Sequence, residues 1–260
     1  MIRIGCCCDG FSAGILRQSG FDYAELSLSS LYSMPEEEYI RLRTSLEISG
    51  LQAECFNCIF SGQPIRIVGI DADQSQLMEY ASKSMERAAD LGGKLVVLGS
   101  GAARRVEEGF SLPKAHQQLR EAILLLADQA GELGMDLVLE PLTTGETNLL
   151  NTVEEGIALC EELNHPHVAL LADLYHMQQN GEDFGILVRA GSWLRHVHYC
   201  NPEGRCFPTI HDSFDDTPFW NALQTAGYRG RVSVEAISGD LRRDAPNAML
   251  KMNVIKEMLA

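Results

Sequence analysis

The chain lacks any apolar run approaching the about 18 residues that a membrane-spanning helix requires, so no membrane partner is expected. Basic residues are scarce: 21 Lys and Arg stand against 36 Asp and Glu, giving a formal charge of -15 and a pI near 4.8. That negative field repels a phosphate backbone and argues against a nucleic-acid partner. The opening Met1-Ile2-Arg3-Ile4-Gly5 lacks the basic region, apolar stretch and cleavage site of a secretory leader. The eight cysteines are therefore expected as reduced thiols in a cytoplasmic protein. No low-complexity linker divides the 260 residues, which reads as one α/β domain over 1–260. A chain of this length buries roughly three quarters of its unfolded surface, so any metal is expected to be functional rather than structural.

Short apolar runs alternate with longer segments of helical period throughout. Strands are predicted at 2–8, 23–28, 52–59, 94–98, 136–140, 168–173, 194–199 and 232–236. Helix signals lie between them. Ser33-Met34-Pro35-Glu36 reads as a capping box, and Thr217-Pro218 as a cap before a proline at the first helical position. Gly50, Gly92, Gly134 and Gly227 each close a helical stretch, as expected of glycine in the left-handed conformation beyond a helix end. Eight such units build either a closed (β/α)8 TIM barrel or an open doubly wound sheet. Polar residues recur at strand C-termini: Glu25, Asn57, Ser100, Glu140, Asp173, His198 and Glu235. A barrel gathers those ends at one mouth, so the barrel is the expected fold.

Four consecutive strands carry the strongest pattern. Strand five ends Leu137-Val138-Leu139-Glu140-Pro141, placing a carboxylate where proline stops further pairing. Strand six ends in Asp173 after a buried run; such a charge must be paired, cap a helix or ligate a cation. Strand seven puts His196 and His198 on one face, with His198 nearer the mouth as ligand and His196 deeper as a hydrogen-bonded core residue. Strand eight ends in Glu235. Three carboxylates and one imidazole suit a single Mn²⁺, with Mg²⁺ and Co²⁺ as alternatives, better than a thiolate-seeking ion. The polar segment with Asn201, Glu203, Arg205 and His211 is expected to loop over this site.

At these residues the chain resembles the xylose-isomerase-like barrel superfamily, and within it the sugar phosphate isomerase/epimerase and ketose 3-epimerase group. The resemblance spans nearly the whole length and rests on Leu139-Glu140-Pro141-Leu142, Glu146 to Thr152, Asp173-Leu174-Tyr175-His176-Met177, His196-Val197-His198 and Val234-Glu235-Ala236. It implies that Glu140, Asp173, His198 and Glu235 hold the metal, that Glu140 and Glu235 also move the proton, and that Glu146, His176 and Arg205 contact substrate. The implied activity is isomerisation or epimerisation of a small sugar, a ketose or sugar phosphate, through an enediolate. Arg205 lies one residue further from His198 than in ketose epimerases, and Thr143-Thr144-Gly145 replaces their usual stretch. Alternatives are an inosose-type dehydratase on the same metal, an abasic-site endonuclease, which the acidic balance disfavours, and a non-catalytic sugar-binding barrel. The number of subunits is left open.

Smaller features are assigned no chemistry. Cys55 and Cys58 fall on opposite faces by strand alternation and are expected to be buried packing residues. Arg104 and Arg105 after Gly99-Ser100-Gly101 are expected at the surface, with phosphate binding as the less favoured reading. Asp71, Asp73, Glu107 and Glu108 read as solvated loop or helix-start charges.

Overall fold

The computed structural model describes residues 2–260. Among the described residues, eight parallel strands close into a barrel in sequence order: β1 Arg3–Cys7, β2 Tyr23–Ser27, β3 Ala53–Asn57, β4 Leu95–Leu98, β5 Asp136–Leu139, β6 Val168–Asp173, β7 Leu194–Tyr199 and β8 Arg231–Val234. Closure is made by β1 on β8, Arg3 to Arg231 through Cys6 to Val234. Each strand is a nearly continuous buried run, as sheets covered on both faces require; all six residues of β6 are buried.

Among the described residues, eleven helices surround the barrel: α1 Ala13–Ser19, α2 Leu28–Ser33, α3 Glu36–Ser49, α4 Gln74–Asp90, α5 Gly101–Arg104, α6 Leu112–Glu132, α7 Val153–Leu163, α8 Leu174–Asn180, α9 Ile186–Ala190, α10 Thr217–Thr225 and α11 Leu241–Met258. The long ones are amphipathic; α4 turns Leu77, Tyr80, Ala81, Ser84, Met85 and Ala88 inward at helical spacing. Among the described residues, no helix is long and apolar enough to cross a membrane.

Two cores result. The larger lies between strands and helices, and a smaller one fills the barrel with Tyr23, Cys55, Leu95, Val97, Val138, Ala169 and Leu171. Gly5 makes the inner core possible, because a Cβ there would fall 2.2 Å from the Tyr23 ring. That ring crosses the barrel to place its hydroxyl 2.8 Å from Ser233 Oγ.

The four glycines expected beyond helix ends all have positive φ. Two caps differ from expectation. Ser33 ends α2 instead of opening α3, whose N-cap is Pro35 with no side-chain bond, so the 33–36 capping box does not form. The cap of α10 is Asp216, one residue before Thr217, and its side chain is occupied by Tyr199, Trp220 and Lys251 instead of the helix terminus.

Candidate active site

The four ligand candidates meet at the C-terminal mouth. One ligand atom each from Glu140, Asp173, His198 and Glu235 lies within 4.8 Å of the other three. Their backbones are fixed by neighbouring ladders: Asp173 is level with His198, and Glu235 N donates to Tyr199 O at 3.1 Å. Two of the three readings open to Asp173, a helix cap and a paired charge, are met. Its Oδ1 caps α8, accepting from Tyr175 N at 2.8 Å, while Oδ2 faces His176 Nε2 at 3.5 Å. Glu140 Oε1 lies 3.1 Å from His198 Nδ1, and Oε2 occupies space that only a glycine at position 99 leaves open. Glu235 accepts from Asn57 Nδ2 at 2.9 Å and from Arg205 Nη2 at 2.6 Å.

The electrostatics are unbalanced. Burial pushes the Asp173 carboxyl up to about 6; His176 opposes this, while Glu235 and Glu140 add to it. Burial also raises Glu140, but hydrogen bonding to and charge on His198 leave it below the usual carboxylate range. His198 is itself held well above its ordinary value, because Glu25, Glu235 and Glu140 outweigh burial. Three carboxylates thus face one point, with the Arg205 guanidinium 2.6 Å from Glu235 and 3.9 Å from Asp173.

The substrate-facing candidates ring the same cavity of about 650 Å³, which Glu140, Glu235, Glu146, His176 and Arg205 all line. His176 Nδ1 accepts from Thr143 N at 3.3 Å, so its Nε2 carries the hydrogen and points at Asp173 and the cavity. Glu146 stands at the rim, its side chain 45% exposed and 4.0 Å from His176. Arg205 stacks on the Tyr175 ring at 4.6 Å and adopts a positive φ of 49°. The loop carrying it folds back through a bridge between Asn201 and Cys206.

Two expectations need correction. Arg104 is neither a surface residue nor an anion binder; it is fully buried and donates to five backbone carbonyls, those of Leu98, Gly99, Glu140, Leu149 and Leu150. Cys55 is buried, but Cys58 is exposed and lines the cavity, because positive φ at 58 turns the chain out of β3. Asp71 is exposed, as expected of a solvated loop charge, and stands at the edge of the same cavity.

One participant was visible only as a strand-end charge. Glu25 lies fully buried inside the barrel, its two oxygens each 2.9 Å from Nε2 of His196 and of His198. Burial favours its neutral form, yet the two imidazoles hold it below the usual carboxylate range. His196 is the hydrogen-bonded core residue expected of it.

Fold and site together define a TIM barrel with a carboxylate and imidazole centre at its mouth. The model of the xylose isomerase-like TIM barrel family matches residues 14–258, and the chain belongs to that family. It is 26% identical over 238 residues to the ketose 3-epimerase of Arthrobacter globiformis, covering 89% of this chain and 78% of that protein. With the L-ribulose 3-epimerase of Methylomonas sp. (strain DH-1) it shares 34% identity over 122 residues, 46% of this chain and 42% of that one. A crystal structure of D-psicose 3-epimerase in the presence of D-fructose shares the fold, with a TM-score of 0.83 at 20% identity over 98% of this chain and 99% of that one. The chain is an enzyme of the sugar isomerase and epimerase class.

Proposed function

We propose that the chain epimerises a small ketose with the help of one divalent metal ion held by Glu140, Asp173, His198 and Glu235. The observation that carries this reading is the convergence of those four ligand atoms, from four successive βα units, within 4.8 Å of one another. The donor set fits the group: three oxygens and one nitrogen match a hard or borderline cation, Mn²⁺ ahead of Mg²⁺ or Co²⁺. Its charge fits too, since a dication offsets both the burial and the Glu235 and Glu140 repulsion that lift Asp173. A ketose is chosen because a relative matched over 89% of the chain is a ketose 3-epimerase. Free thiols at all eight cysteines suit the cytoplasmic setting we assign.

When bound, the ion polarises the sugar carbonyl and acidifies the neighbouring C–H. Glu140 and Glu235 both open to the cavity, and their separate strands let them address opposite faces of a sugar between them. One removes the proton and the other returns one to the opposite face of the same carbon. Glu235 is set for this by Asn57 and Arg205, which hold both of its oxygens, and Glu140 by the space that Gly99 leaves for its Oε2. Asp173, with one oxygen committed to α8, serves as ligand only. His176 Nε2–H, the Arg205 guanidinium and the Glu146 carboxylate offer hydrogen bonds to sugar hydroxyls.

Incubation with a panel of ketoses in D₂O, with and without Mn²⁺, tests the reading. Deuterium should enter one carbon without loss of water; Glu140→Gln and Glu235→Gln should each reduce exchange by about 10²-fold or more. Full exchange in either variant, or after exhaustive chelation, refutes the mechanism. A dehydrated product assigns the lyase instead.

A further inference from the structure

An imidazole ligates a metal through a nitrogen lone pair, so its other ring nitrogen must carry the hydrogen, and whatever binds that hydrogen fixes ring and tautomer together. His198 turns Nδ1 towards the two candidate Glu ligands, 3.1 Å from Glu140 Oε1 and 3.6 Å from Glu235 Oε2. Its Nε2 points away from the mouth into the barrel, 2.9 Å from Glu25 Oε1.

Glu25 belongs to β2 and His198 to β7, so this contact crosses the barrel interior and skips the intervening β1 and β8. The second Glu25 oxygen is occupied as well, 2.9 Å from His196 Nε2, and His196 Nδ1 lies 3.2 Å from the Arg231 carbonyl. A carbonyl only accepts, so the His196 Nδ1 carries hydrogen. One further proton is shared between His196 Nε2 and Glu25, and Oε1 is left as an acceptor for His198. All three side chains are 0% exposed, and the two rings meet edge to face with centroids 4.9 Å apart.

We infer that Glu25 is the positioning residue of the metal centre: it takes the His198 Nε2–H and thereby keeps the Nδ1 lone pair aimed at the cation. This rests on the function proposed above. A rival use of the same residues is a second, buried ion, because Glu25, Cys55 and His196 also bring ligand atoms within 4.8 Å of one another. The occupied oxygens of Glu25 favour the positioning role.

The test compares wild-type protein with Glu25→Leu and Glu25→Gln by Mn²⁺ titration calorimetry, metal content, and ¹⁵N NMR of the histidine rings in the diamagnetic Mg²⁺-loaded protein. The Leu variant should bind Mn²⁺ about 10- to 100-fold more weakly, the range for loss of a ligand's hydrogen-bond partner. The Gln variant, whose amide oxygen still accepts from Nε2–H, should restore most of that affinity. Mg²⁺-loaded wild type should show hydrogen on His198 Nε2 and none on Nδ1, a signature that holds whether or not the Leu variant folds. Hydrogen on Nδ1 in that state, or unchanged affinity in the Leu variant, overturns the inference while leaving the metal site intact. Two ions per wild-type chain, falling to one in Glu25→Gln, would make Glu25 a ligand and also overturn it. If wild type binds no Mn²⁺, both this inference and the proposed metal site fall.

Discussion

Replacing Arg104 by Met should cost about 4 kcal/mol of stability, and the figure follows from which carbonyls lose their donor. Five carbonyls accept from the buried guanidinium, at 2.6 to 3.3 Å. Leu98 O keeps Glu140 N and Leu150 O keeps Leu142 N, both at 3.2 Å. The carbonyls of Gly99, Glu140 and Leu149 are left without those bonds. At about 1–3 kcal/mol for each orphaned group, three cost about 3–9 kcal/mol, reduced because Met no longer requires a buried cation to be desolvated. Burial lowers Arg104 only to about 10, so the residue remains a cation at neutral pH. For a chain of this size the loss corresponds to about 10 °C in Tm, read by scanning calorimetry. Activity should fall with it, because the Glu140 carbonyl is one of the three anchors released. A Met variant melting within about 2 °C of wild type would refute the argument that this guanidinium knits the ends of β4 and β5 together.

Asp173→Asn should leave α8 capped, since Asn caps about as well as Asp, but weaken Mn²⁺ binding by at least about tenfold. Calorimetric titration and the thermal midpoint read the two effects separately; unchanged affinity would remove Asp173 from the ligand set. Glu182 tests linkage between pH and stability away from the site. Burial lifts its carboxyl to about 7, opposed by the Val153 N–H, while its Oε1 is buried without a partner. A carboxyl raised in the folded state binds its proton more tightly there than when unfolded, so stability is full below about pH 4 and declines as pH rises to about 7. Glu182→Gln should therefore gain on wild type in urea midpoint between pH 5 and pH 8, and parallel midpoints across that window would contradict it.

The barrel was legible because each strand is an apolar run ended by a polar residue, a pattern that survives small errors at the ends. β6 and β7 begin and end where expected, and the ends of the other strands differ by at most two residues, β8 starting one residue early. The four strand-end candidates were equally legible, since their spacing along the chain maps onto position around the mouth. Contacts across the barrel were not. Alternation places Glu25 at a strand end but cannot say that it meets β7, because closure brings together residues more than 170 apart in sequence. Arg104 shows the same limit from the other side: a charged residue after a glycine turn resembles surface, and only the carbonyls of residues 140, 149 and 150 reveal why it is buried. Ser33 failed as a cap because its local signal competed with a second short helix ending at that residue.

The divided use of Asp173 joins two properties that are usually separate. Because one oxygen anchors the first turn of α8 and the other faces the cavity, a cation drawn to Oδ2 also firms up the helix that carries His176. Such coupling is reciprocal: whatever steadies α8 tightens the hold on the ion by the same factor. Its backbone amides should then exchange hydrogen more slowly when the ion is present, making this short helix a reporter of occupancy 7 residues long.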